Sequence, residues 1–118
     1  MDELAKEFDD CREIFTALGD ENRQQIIMTL LGTFGGMRVG EVTQHTHLSR
    51  PAVSHHLKIL KDAGIVKVIK RGTMNFYYTN DKNELWGRFT LLVAHLNELI
   101  AELGAQSEKG VALPCQDE

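Results

Sequence analysis

The chain has few cysteines and prolines, and it has no long apolar run. Of its 118 residues, two are cysteine and two are proline. Two cysteines are too few for the disulfide framework of a small secreted domain. The apolar runs fall far short of the roughly 20 residues that cross a bilayer, and the acidic first residues lack a signal-peptide pattern. We therefore expect a small cytoplasmic protein with no membrane partner.

The sequence also lacks the residue sets of an enzyme. His45, His47, His55 and His56 lie close together in the chain, but no nucleophile, base and orienting group accompany them. No glycine-rich loop that could cradle a phosphate is present either. With 42% hydrophobic and 25% charged residues, the composition is that of one globular domain without catalytic activity.

Positive charge is concentrated in one segment of an otherwise acidic chain. The net charge is −4, yet residues 50–73 contain six bases and a single acid, Asp62. A compact basic segment in an acidic protein is typical of a surface that binds phosphates. From composition alone, a solvated charged face is an equally good explanation.

Apolar periodicity predicts five helices and one β-hairpin. The first helix ends near Gly19 and the second follows a cap at Asp20. The third spans about 39–47, the fourth ends near Ala63, and the last spans about 83–103. The two strands, 65–70 and 75–79, flank a turn at 71–74. Residues 1–103 thus form one domain, and residues 104–118 form a mobile tail.

Two short helices, a tight turn and a charged hairpin together predict a winged helix-turn-helix, a mainly α fold with a small β-hairpin. On the fourth helix, Val53, Leu57 and Leu60 share one side and must face the core. The residues on the opposite side include Pro51, Ser54, His55 and Lys58. Short polar groups and a lysine near a helix N-terminus can enter a major groove.

Further basic residues extend this predicted DNA-binding surface. Arg50 stands at the start of the fourth helix, and Lys70 and Arg71 lie at the tip of the hairpin. Hairpin tips of this kind reach the DNA backbone or the minor groove. His56 lies at the edge of the core face, so we expect it to be half buried and structural.

Three segments resemble the ArsR/SmtB family of bacterial repressors. They are Phe15–Arg23 with the following Ile26-Ile27, the run LSRPAVSHHLKILKDAGIV at 48–66, and Arg71-Gly72 followed by Phe76-Tyr77-Tyr78. The resemblance extends over about residues 4–103. It implies a homodimer, built from the first and last helices, that binds a palindromic operator in double-stranded DNA and blocks transcription. The alternative is a winged-helix module that contacts only proteins.

Dimerisation also has a physical argument of its own. Leu85, Phe89, Leu92, Leu96, Leu99 and Leu103 form a coiled-coil-like seam on the last helix. With the apolar stripe of the first helix, this seam exceeds what a small monomer needs.

The resemblance further implies release from DNA by a metal ion or by thiol oxidation. In the arsenic- and cadmium-sensing branch, a Cys-Val-Cys motif opens the third helix. Arg38 and Gly40 stand where those thiolates would be, so that site is absent.

The zinc-sensing branch uses the last helix, where His95 and Glu98 lie three residues apart on one face. The positions expected for the other two ligands hold Lys82 and Glu84, so a positively charged lysine stands where one metal ligand is expected. Zinc or another divalent metal at His95 and Glu98 is one hypothesis. A surface His–Glu pair beside the dimer seam is the other.

The two cysteines form another candidate sensor. Cys11 lies on the apolar stripe of the first helix and Cys115 in the tail after Pro114. Because the first and last helices meet in this architecture, a tail thiol could reach Cys11 of its own or the partner subunit and form a disulfide or persulfide bridge. The two thiolates could instead bind a soft metal or arsenite, and a protein without any small effector is the remaining alternative. The competing interpretation is that Cys11 is a small core residue, since free cysteine is often buried.

Overall fold

The computed structural model describes residues 2–82 and 84–108. Within these ranges the elements are α1 (Asp2–Asp10), α2 (Arg12–Leu18), α3 (Glu21–Leu31), α4 (Val39–Gln44), α5 (Arg50–Asp62), β1 (Val66–Arg71), β2 (Met74–Thr79) and α6 (Glu84–Glu108). The predicted architecture is confirmed as a mainly helical domain with a small antiparallel hairpin. Among the described helices, none is long and apolar enough to cross a membrane.

The first predicted helix is two helices, so the described ranges hold one helix more than expected. The backbone turns at Cys11, whose N–H donates to the carbonyls of Glu7 and Phe8, each at 3.2 Å. On either side of this turn, α1 packs against α6, and α2 packs against α3, α5 and α6. The apolar spacing continues across Cys11 without a glycine or proline, so no local signal marks this bend.

The predicted cap of α3 is confirmed. The Asp20 carboxylate accepts a hydrogen bond from the backbone N–H of Arg23 at 3.1 Å. This bond holds the pKa of Asp20 below its ordinary value, because it favours the charged carboxylate. It also satisfies one of the free N–H groups at the start of α3.

One main cluster of buried side chains joins α2, α3, α4, α5 and the base of the hairpin. Its members are Ala17, Ile26, Leu30, Met37, Val42, Val53, Leu57, Leu60, Ala63, Ile65 and Val66. Three other buried apolar residues, Cys11, Ile14 and Leu92, lie on the first two helices and α6. The core therefore fixes α5 from its inner side and leaves much of α6 uncovered within one chain.

Both strands of the hairpin contact the domain, β1 through α5 and β2 through α3 and α4. β1 and β2 pair antiparallel, with Lys70 opposite Asn75, and Gly72 at the turn has a φ of +64°. Tyr77 also exchanges two backbone hydrogen bonds with Met37, at 2.8 and 3.1 Å. A Cβ at Gly36 would lie only 2.5 Å from the ring of Tyr78. The loop before α4 therefore requires glycine where it meets the hairpin.

Two helix ends differ from the predicted ones. α4 ends at Gln44, earlier than His47, because the Thr46 hydroxyl donates to the Thr43 carbonyl and accepts from the Leu48 N–H. α6 continues past Leu103 to Glu108, since one helical glycine costs only about 1 kcal/mol. The helix therefore includes residues 104–108, which were predicted to belong to the tail, and residues 109–118 lie outside the described residues.

Candidate nucleic-acid interface

The helix α5 is built to present one side to solvent. Its N-cap, Ser49, accepts a hydrogen bond from the N–H of Ala52 at 3.3 Å, and Pro51 occupies the first turn. Val53, Leu57 and Leu60 have no exposed surface and anchor the inner side in the core. At 13 residues, the helix is about 20 Å long, which is long enough to lie in a major groove.

The outer side of α5 carries the residues predicted to contact DNA. Arg50, Pro51, Ser54, His55 and Lys58 are all exposed. Lys58 makes an ion pair with Asp62 at 2.9 Å, and both side chains are more than half exposed. Exposed pairs of this kind contribute only about 0–1 kcal/mol, so Lys58 can exchange Asp62 for a phosphate at little cost.

The two basic hairpin residues predicted to contact DNA, Lys70 and Arg71, differ in their contacts within the protein. Lys70 is exposed, and it forms no hydrogen bond or ion pair with any residue in the described part of the chain. Arg71 donates to the Tyr78 hydroxyl at 2.6 Å, and its guanidinium lies 5.0 Å from the centre of the Phe76 ring. The aromatic residues of β2 therefore hold Arg71 in one orientation, which reduces the entropy it would lose on binding.

A buried arginine that sequence analysis did not single out fixes α5 against α2. The Arg23 guanidinium donates to the carbonyls of Thr16 and Ala17, each at 2.9 Å, and lies 3.1 Å from Nδ1 of His56. Because a guanidinium can only donate, His56 accepts through Nδ1. His56 is half buried, which confirms its predicted structural role.

The sequence does contain a signal for this arginine. Arg23, Ile26 and Leu30 follow a spacing of three and four, so they share one face of α3. A charged residue on an apolar helical stripe requires a buried partner. In this protein the partners are the last carbonyl groups of α2, together with His56.

Of the two cysteines predicted to sense oxidants, the structure describes only Cys11. Its side chain has no exposed surface. Burial raises the pKa of the Cys11 thiol, and the carboxylates of Asp10 and Glu7 raise it further. A buried thiol with a raised pKa is a poor nucleophile. Cys115 lies outside the described residues, so the pairing of the two remains a prediction.

The predicted metal ligands His95 and Glu98 line one cleft with Glu3 and Glu7 of α1. Nδ1 of His95 lies 2.9 and 2.8 Å from the two carboxylate oxygens of Glu7. Over residues 2–82 and 84–108, no three His, Cys, Asp or Glu side chains form a group suited to a metal ion. In this structure His95 links α6 to α1, and a metal site there remains a prediction.

This contact predicts a pH-dependent stability. The hydrogen bond that Nδ1 of His95 donates to the Glu7 carboxylate raises the pKa of His95 above its ordinary value, which is about 6.5. The pair should therefore stabilise the protein fully below that value, and its contribution should disappear as the pH rises through the raised pKa. In thermal unfolding, Glu7→Gln should lower the Tm more near pH 6 than near pH 9. Glu13→Gln, on an exposed site of α2, is the matched control, and equal losses at both pH values would contradict the assignment.

Comparison with known proteins identifies the family. The family described as bacterial regulatory protein, arsR family, matches residues 20–68. An uncharacterised HTH-type transcriptional regulator of Methanocaldococcus jannaschii is 45% identical over 76 residues, which cover 64% of this chain and 84% of that protein. The transcriptional repressor SdpR of Bacillus subtilis is 36% identical over 67 residues, which cover 57% of this chain and 72% of the repressor.

The fold has a solved counterpart. A homodimeric winged helix-turn-helix DNA-binding domain from Mycobacterium bovis superimposes with a TM-score of 0.61 at 23% identity, covering 84% of this chain and 90% of that domain. The match confirms the winged helix-turn-helix fold in which α5 and the hairpin lie exposed. The chain belongs to the ArsR family and is a DNA-binding transcriptional regulator.

Proposed function

We propose that the protein is a cytoplasmic, homodimeric transcriptional repressor that binds an inverted-repeat operator in double-stranded DNA. Each α5 lies in a major groove, and each hairpin contacts the flanking backbone. The observation that carries this proposal is the outer side of α5, where short polar groups and cations are exposed while the inner side is anchored in the core. The activity is binding rather than catalysis.

The dimer is proposed from the apolar surface on α1, α2 and α6. Among the described residues of α6, only Leu92 is fully buried, while Val93, Leu99, Ile100 and Leu103 are 41–66% exposed. A large exposed apolar patch marks an interaction site. The homodimeric state of the structural relative from Mycobacterium bovis and the repressor activity in the name of the Bacillus subtilis relative support the same assignment.

Aromatic side chains continue this surface from α6 to the first two helices. Phe15 stacks on Phe8 with ring centres 5.9 Å apart. Phe15 and Phe89 form a T-shaped pair with ring centres 5.6 Å apart. Phe8 and Phe15 are each 40% exposed. A second copy of the chain would cover this row and bring the two α5 helices onto one face of the dimer, as an inverted repeat requires.

Changes on the outer side of α5 should alter sequence preference. Ser54→Ala or His55→Ala should weaken binding to the preferred operator by about 1–3 kcal/mol for each direct base contact that is lost. Binding to unrelated DNA should change little, because base contacts add nothing there. Fluorescence anisotropy with both duplexes measures the ratio of the affinity for the operator to the affinity for unrelated DNA. If both affinities fell equally, these residues would contact only the backbone.

Changes in the hairpin should act on all sequences alike. Lys70→Ala and Arg71→Ala should each weaken binding to any duplex, and each should reduce the slope of log affinity against log salt by about one. Lys6→Ala, on the exposed side of α1, removes the same charge and is the control. A Lys70→Ala protein that kept the full salt slope would show that the hairpin does not contact phosphates.

A further inference from the structure

Two arginines meet where α4, α5 and the hairpin come together. Arg38 precedes α4, and Arg50 begins α5. Both line a cleft of about 280 Å³ beside Gly40, Glu41 and Gln44, and both line an adjoining cleft of about 260 Å³ against Thr73 and Asn75 of the hairpin. The two side chains thus form the cationic wall shared by two open clefts.

The donor groups of both arginines are largely uncommitted. The Arg38 guanidinium donates to the sulfur of Met74 at 3.2 Å, and a thioether is a weak acceptor. Its Nε lies 3.9 Å from the Glu41 carboxylate, which already accepts the Arg38 backbone N–H at 2.9 Å. Arg50 makes no hydrogen bond or ion pair with the residues described here. Strong hydrogen-bond donors facing an open cleft are suited to an anion.

A glycine lines this cleft. The position of a Cβ at Gly40 lies 3.9 Å from Nη1 of Arg50, so a larger side chain would extend toward the guanidinium.

The location of the cleft indicates which anion it would bind. α4 is the first helix of the helix-turn-helix, and such helices cross the DNA backbone while the second helix enters the groove. The cleft lies between the start of α5 and the hairpin, both of which belong to the DNA-binding surface. We propose that Arg38 and Arg50 together bind one backbone phosphate of the operator. This inference rests on the proposed binding of DNA through α5.

The test is the salt dependence of DNA binding by an Arg38→Ala protein. The N-terminal bond of α4 uses the backbone N–H of Arg38, so the variant should fold with an unchanged Tm. Its affinity for operator and for unrelated DNA should fall by a similar factor, about 10-fold or more, and its salt slope should decrease by about one. Arg38→Lys should keep most of the slope, because the charge remains.

Arg12→Ala is the matched control. Arg12 is exposed and paired with Asp9 on the first two helices, so its loss should leave the salt slope unchanged. If Arg38→Ala kept the full slope while Ser54→Ala changed operator preference, the phosphate site would be wrong and α5 would still bind DNA. If the wild-type protein preferred no sequence and Ser54→Ala had no effect, the proposed function itself would fail.

A calorimetric titration with inorganic phosphate distinguishes the two sources of the anion. We expect no saturable binding at millimolar concentrations, because the duplex supplies and orients the phosphate. Saturable binding that Arg38→Ala abolishes, together with an unchanged DNA salt slope in that variant, would assign the cleft to a free anion and overturn the proposal.

Discussion

Replacing Arg23 with alanine is expected to lower the free energy of unfolding by about 2–4 kcal/mol. Only 8% of the residue is exposed, and its guanidinium bonds the carbonyls of Thr16 and Ala17 as well as His56. The truncation leaves these acceptors without their donor at the point where α2 meets α5. Urea unfolding of the purified variant measures the loss.

Three further variants test whether the loss of stability in Arg23→Ala comes from the lost hydrogen bonds. Arg23→Lys keeps the charge but cannot reach three acceptors with a planar fork, so it should recover only part of the stability. Gln24→Ala removes a neighbouring exposed side chain that bonds the Leu18 carbonyl and should cost less than 1 kcal/mol. His56→Ala should be intermediate. If Arg23→Ala unfolded at the same urea concentration as Gln24→Ala, Arg23 would not tie α5 to α2.

The second large effect is expected at the apolar surface of α6. A Leu99→Glu, Leu103→Glu protein should be monomeric in light scattering, because four buried carboxylates at a symmetric interface cannot be solvated. Its affinity for a two-half-site operator should fall by about 10²-fold or more, since the two half-sites would then be bound independently.

The control for this variant is Met28→Glu. Met28 is 65% exposed on α3, so the change replaces another exposed apolar side chain with a carboxylate outside α1, α2 and α6. It should remain dimeric and keep its operator affinity. A double variant that stayed dimeric would place the interface elsewhere on the protein.

Much of this architecture is predictable because its signals are local. Asp20 marks the start of α3 through a capping bond between near neighbours, and Gly72 marks the hairpin turn through its backbone conformation. The outer side of α5 follows from helical geometry once Val53, Leu57 and Leu60 are placed in the core. These features depend on a few adjacent residues, so the sequence alone is enough to place them.

The features that were missed depend on residues far apart in the chain. The turn at Cys11 separates α1, which contacts α6, from α2, which contacts α3 and α5 as well as α6. The bond between Glu7 and His95 and that between Arg23 and His56 join elements whose approach only the fold defines. In the sequence, Arg38 stands out only as a residue at a position where the family resemblance implies a thiolate, and its place beside Arg50 depends on how α4 packs on α5.

Selection from random duplex DNA tests most directly whether a dimer recognises DNA through the outer side of α5. The selection should enrich an inverted repeat whose half-sites lie about one helical turn apart, 10–10.5 base pairs from centre to centre. A protein with both Ser54→Ala and His55→Ala should enrich it far less. Failure of the wild-type protein to enrich any sequence, or enrichment unaffected by both substitutions, would contradict the account.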